Sequence, residues 1–138
     1  MTRDLQALVA FIEARTAMPH DFDGNCCVRY VLGAVEAQFG NAPDPGASWR
    51  TERGALRAIA KLGGIEATTD RLFAEVPIGE ARFGDIAGVD DPARGFHVML
   101  VEGQMLSCPG ERGLERLPRR LMVRAWSAVP LSRQVAAR

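Results

Sequence analysis

Two short segments carry the residue types that could do covalent chemistry. Phe22-Asp23-Gly24-Asn25-Cys26-Cys27 leads into an apolar, helix-like stretch, and Gly95-Phe96-His97-Val98-Met99-Leu100-Val101 opens a strand-like run about 70 residues later. The thiolate, not the thiol, is the nucleophile, and a helix N-terminus favours it through unpaired N–H groups and the helix dipole. A histidine at the start of an apolar strand can take that proton and return it to a leaving amine. Gly84-Asp85, which reads as a strand entry, lies between the two segments. Singly, each residue has a plain structural explanation: free cysteine is commonly core, and a histidine on an apolar strand is commonly a satisfied core residue. Their order along the chain joins them.

The elements that must position these groups follow from periodicity. Residues 3–15 place Leu5, Leu8, Val9 and Ile12 on one helical face, and Pro19 ends that unit. Asn25 is a suitable N-cap for a helix over Cys26–Phe39, with Val31, Val35 and Phe39 inward and Gly40 as the stop. A third helix is expected over 51–62, capped by Thr51, burying Leu56, Ile59 and Ala60 and stopped by Gly63-Gly64. A short helical turn is expected over 69–74. Beyond Pro77 the texture changes to strands at 84–89, 96–101, 104–108, 113–117 and 123–129, with a tight turn at Glu102-Gly103. Helices first and antiparallel strands after give an α+β domain. The expected organisation is one domain over 1–129 and a frayed tail over 130–138.

Composition narrows the function classes. The 138 residues suit one domain, and 47% hydrophobic content is enough for a packed core. Seventeen basic residues against seventeen acidic ones argue against a nucleic-acid module, whose affinity rests on neutralising phosphates. No apolar run approaches the ~20 residues of a membrane span. The N-terminus is amphipathic and carries no signal-peptide core, so export by that route is not expected. Three cysteines, Cys26, Cys27 and Cys108, make no disulfide framework. Adjacent cysteines without a C-x₂-C pair are a poor zinc set, so no metal or cofactor is expected.

These motifs resemble the NlpC/P60 superfamily of papain-like peptidases acting on cell-wall stem peptides. They are most similar to its small phage and prophage tail group, DUF6950. That group reads approximately Pro-Phe-x-Trp-Gly-x-x-Asp-Cys, then an aromatic three residues on and an Ala-Val-Glu-Ala-x-x-Gly helix end. Here Pro19 precedes the loop, Phe22 stands at the Trp, Tyr30 follows Cys27 by three, and Ala34-Val35-Glu36-Ala37-Gln38-Phe39-Gly40 closes the helix. Phe83-Gly84-Asp85 resembles the superfamily's strand entry, and Phe96 to Val101 its catalytic-histidine strand. Cys108-Pro109-Gly110 through Trp126 resembles the group's last hairpin and closing strand. The similarity covers about residues 5–128.

The resemblance implies a papain-like fold with N-terminal helices on a small antiparallel sheet or partial barrel of about five strands. In its ungapped register Cys27 is the nucleophile. Sliding by one residue makes Asn25 the Asp and Cys26 the alternative nucleophile, but spoils the aromatic and glycine positions. His97 is implied as general base and acid, and Ser107 as the residue that orients it. His20, at the position of a superfamily tyrosine, Phe22 and Trp49 are the implied substrate groove. The sequence departs from the pattern at Phe22-Asp23 for Trp-Gly and at Cys26 for the Asp. The implied partners are a peptidoglycan stem peptide and phage tail proteins. The implied location is the virion tail tip, after assembly in the host cytoplasm. A catalytically degenerate tail-tip component of the same fold is the alternative.

Overall fold

The computed structural model describes residues 2–132 of the chain. Four helices, α1 (Leu5–Arg15), α2 (Cys27–Phe39), α3 (Glu52–Lys61) and α4 (Ile65–Leu72), precede most of the sheet. The strands are β1 (Phe73–Val76), β2 (Ile86–Asp91), β3 (Gly95–Glu102), β4 (Met105–Gly110), β5 (Gly113–Pro118) and β6 (Met122–Pro130). They form one antiparallel open sheet in the order β1-β6-β2-β3-β4-β5. The architecture is the expected α+β, with six strands where about five were expected. β1 escapes sequence reading because it is four residues long and begins at the C-cap of α4, with no turn residue between them.

Local signals explain most element ends. The Asp4 carboxylate caps α1 at the Ala7 N–H, 2.9 Å away, and the Thr51 hydroxyl caps α3 at the Gly54 N–H, 3.0 Å away. Gly40 closes α2 with φ 87°, a left-handed conformation that costs glycine little. Asn25 does not cap α2. Cys26 holds the N-cap position without a side-chain cap bond. The buried Asn25 amide instead accepts from Arg15 at 2.8 Å and donates to the Pro19 carbonyl at 2.8 Å, which ties down the loop before the helix.

Two expected helix faces are corrected. On α1, Leu8 and Ile12 are buried while Leu5 and Val9 are exposed. α1 packs mainly on α2, where the Phe11 ring lies so close to Gly33 that a β-carbon there would stand 2.8 Å from it; that contact is too narrow to cover the whole stripe. On α3, Ala55 is buried, Ile59 is half-buried, Ala60 is exposed and Leu56 is 64% exposed. The short helix buries only one edge, about one residue out of phase with the expected face. α4 starts at Ile65, earlier than the turn expected over 69–74.

The core has two main parts. On one sheet face α2 sets Tyr30, Val31 and Val35 against Ile86, Val98, Leu100 and Trp126. On the other, Ala87, Val89, Met99, Val101, Leu106 and Cys108 pack together. β6 runs to Pro130, one residue into the expected tail, and residues 133–138 of that tail lie outside the described residues.

Candidate active site

Cys27 is the first residue of α2, and its sulfur points at the histidine strand. The backbone N–H groups of Val98 and Val28 are directed at Sγ. The Val98 N–H is available because the β3–β4 ladder reaches only Leu100↔Ser107. Along β3, Val101 donates toward the β2 side, to the Asp85 carbonyl, so Val98 donates toward β4. Beyond Leu100 the β4 partner is lost, and the Val98 N–H is left beside Cys27, where it favours the thiolate. This position explains why Cys27 touches both main core groups.

Burial pushes the Cys27 thiol up to about 12; nearby Cys26 and Cys108 add to the rise, and the Val98 and Val28 N–H groups oppose it. The two backbone donors are outweighed by desolvation, so the resting group is a neutral thiol. No hydrogen bond joins Cys27 to His97 among the described residues. The His97 Nδ1 lies 3.4 Å from the Gly95 carbonyl oxygen, and Nε2 is buried without a partner among the described residues.

Cys26 turns elsewhere. It is 4% exposed and packs with Trp49 and Ala55 under α3. The two adjacent thiols are thereby separated by direction: Cys27 toward β3, Cys26 toward α3. Both nevertheless line one cleft of about 760 Å³, together with His97, His20, Phe22 and Trp49. The His20 ring meets Phe22 edge-on, with centroids 4.5 Å apart. His20 is held in place by its backbone N–H, which donates to the Gly110 carbonyl at 2.7 Å.

Ser107 is not brought to His97. Side chains alternate across a strand, so Ser107, opposite Leu100, shares the α2 face of the sheet, whereas His97, Met99 and Val101 share the other face. Ser107 is fully buried and pairs with the Tyr30 hydroxyl at 2.8 Å, tying β4 to α2. The implied role of orienting the imidazole is corrected to a structural one. The β4 side chain on the His97 face is Cys108, which also lines the cleft. Burial, with Glu115 nearby, pushes its thiol up to about 11. Sequence reading passed over Cys108 as a site residue, although counting from the Gly103 turn puts it opposite Met99 and in phase with His97.

The strand entry between the two segments is structural. The buried Asp85 carboxylate accepts from Arg3 at 2.7 Å, from the Arg82 N–H at 2.8 Å and from the Ala128 N–H at 2.9 Å. It fixes the start of β2, and through β2 the neighbouring β3 that carries His97.

Comparison with known proteins agrees with this architecture. The family model described as "Domain of unknown function (DUF6950)" matches residues 2–128. Among solved structures, the chain is similar to the crystal structure of the NlpC/p60 domain of peptidoglycan hydrolase SagA. The identity is 15% and the TM-score 0.56, over 88% of this chain and 97% of that one. At that identity the likeness is one of fold, and the fold is of the NlpC/P60 type. No curated protein matches the sequence.

Proposed function

The chain belongs to the DUF6950 family, and on that premise we propose that it is a cysteine hydrolase of peptidoglycan stem peptides associated with a phage or prophage tail. The observation that carries the reading is the joint opening of Cys27, at the first turn of α2, and His97, on β3, into one cleft. The substrate class is supported by the shared fold with a domain of a peptidoglycan hydrolase. The tail association is supported by the resemblance of the Cys27 and closing-strand motifs to tail-encoded proteins, with the virion tail tip as the place of action. Detection of the chain in purified virions tests that association.

The Cys27 thiol proton passes to the imidazole of His97, and sulfur attacks the scissile carbonyl. The C–N bond breaks as the imidazolium returns the proton to the leaving amine. Water, deprotonated by the same imidazole, then hydrolyses the thioester. The Cys27 backbone N–H, at the open N-terminus of α2, donates to the oxyanion. Because the resting thiol is neutral, proton transfer accompanies substrate binding and no thiolate–imidazolium pair is stored in the free protein.

One observation favours a second reading, a catalytically silent domain kept for tail architecture. The half-buried Cys27 thiol is raised, and among the described residues no side chain bonds to the His97 Nε2. Muropeptide digestion with the wild-type protein, Cys27→Ala and Cys26→Ala decides between the two. Hydrolysis by wild type and Cys26→Ala, with a loss of about 10³-fold or more in Cys27→Ala, supports the enzyme. No turnover by wild type supports the silent domain.

A further inference from the structure

The proposed reaction uses Cys27 and leaves Cys108 idle, yet the fold brings the two thiols together. α2 meets β4 at its first turn, where the Tyr30 hydroxyl pairs with Ser107 Oγ at 2.8 Å. Residues three apart share a helix face, so Cys27 is directed at the same end of β4 as Tyr30. Cys108 is the first β4 residue past Leu100↔Ser107, where the β3–β4 ladder stops. Cys27 occupies that parting of the strands. Its side chain packs against the core groups on both faces of the sheet, and the second of these contains Cys108. Both thiols line the cleft, and both are free.

Cys26 is the poorer partner for Cys27, although it is the next residue. Adjacent Cα atoms stand about 3.8 Å apart, short of the ~4.4–6.8 Å that an ordinary disulfide spans. The Cys26 side chain is also held under α3, against Trp49 and Ala55.

We propose that Cys27 and Cys108 form a reversible disulfide that switches the cleft off, with hydrogen peroxide as the oxidant and Cys108 as the resolving thiol. Cys27 is half-buried and Cys108 buried, so Cys27 meets the peroxide first. Its sulfur attacks one peroxide oxygen, the O–O bond breaks, and Cys27 sulfenic acid and water form. The Cys108 sulfur then attacks Cys27 Sγ, the S–O bond breaks, and the S–S bond forms with release of a second water. The two thiols lose two electrons in all, and the peroxide takes them. Burial pushes the two thiols up to about 12 and about 11, so the bridge forms slowly near neutrality. Thiols of high pKa are also slow leaving groups, so the bridge is slow to reduce once formed. The bond itself does not depend on what the cleft hydrolyses; its silencing effect rests on the reading of Cys27 as nucleophile.

Mass spectrometry of the wild-type protein tests it without turnover. The protein is treated with millimolar hydrogen peroxide at about pH 9, where thiolate is about a hundredfold more abundant than at pH 7, then alkylated and digested with trypsin. The expected product joins the peptide 16–29 to the peptide 95–112 through Cys27 and Cys108. Cys26→Ala is expected to keep this bridge, and Cys108→Ala to lose it. Without Cys108 the Cys27 sulfenic acid goes on to sulfinic acid, which dithiothreitol does not reverse. Absence of the joined peptides from the wild-type digest, or a bridge through Cys26 in place of Cys27, overturns the proposal. Muropeptide turnover that falls in proportion to the bridged fraction and returns with dithiothreitol supports both the switch and the hydrolase. Turnover in a protein that forms no bridge sinks this inference and spares the hydrolase reading. A bridge in a protein that cleaves nothing does the reverse.

Discussion

At the scale of single residues, Cys27 is set by two opposed effects. The helix start and two backbone N–H groups favour a thiolate, and burial opposes it more strongly, leaving the thiol at about 12. At pH 7 the free protein then holds roughly one thiolate in 10⁵ at this position. Iodoacetamide should accordingly alkylate Cys27 slowly near neutrality, with a rate rising about tenfold per pH unit from pH 8 to 11, as followed by mass spectrometry of the Cys27 peptide. A rate already at its plateau by pH 7 would contradict the neutral resting thiol. The candidate dyad was legible in the sequence because helix-start and strand-start signals are local. The choice between adjacent cysteines rested on motif register; the directions of the two side chains add a geometric difference that sequence spacing does not contain. Ser107 was misassigned because strand parity decides the face, and parity depends on a cross-strand register set by the turn.

At the scale of elements, β2 and β3 position His97, and Asp85 fixes where β2 begins. The Asp85 carboxylate joins three separate parts of the chain: Arg3 before α1, Arg82 before β2, and Ala128 in β6. Asp85→Ala leaves the part-buried Arg3 guanidinium and two N–H groups without their acceptor. The expected loss is about 3 kcal/mol or more of unfolding free energy in urea titrations, whereas Asp4→Ala at the exposed α1 cap should cost only about 1 kcal/mol. Near-equal losses would show that Asp85 is not the anchor of the strand entry. Helix ends were legible from Gly40, Thr51 and Gly63-Gly64, because capping is chemistry within one turn. The exposed Leu56, Leu5 and Val9 were not, because a periodic pattern shows that a stripe exists but not how much of it a neighbour covers.

At the scale of the whole molecule, two regions on one face of the sheet are secured differently. α2 packs across β3, β4 and β6, while α4, β1 and β6 meet at one charged centre. There the Arg124 guanidinium bonds to Glu66, Asp70 and Glu75 and lies 4.6 Å from the centre of the Trp126 ring. The hydrogen bonds from Arg124 hold the Asp70 and Glu75 carboxyls below their ordinary values of 3.8 and 4.5. A depressed carboxyl adds stability that is present above its ordinary value and lost as pH falls through the lowered one. The urea midpoint of the wild-type protein should therefore exceed that of Arg124→Ala at pH 7, and the two should converge between about pH 4 and pH 2. A gap independent of pH would assign the effect to packing on Trp126 alone. The sequence by itself determined the α+β class, the order of helices and strands, and the thiol and histidine as candidates, since periodicity, caps and turns act within a few residues. Only the tertiary structure decided that β1 pairs with the last strand, that Cys27 faces β3 while Cys26 faces α3, and that Cys108 shares the His97 face while Ser107 lies on the other. Those facts depend on strand register and on packing between residues distant in the chain, where each side chain's direction is fixed by what it must bury against.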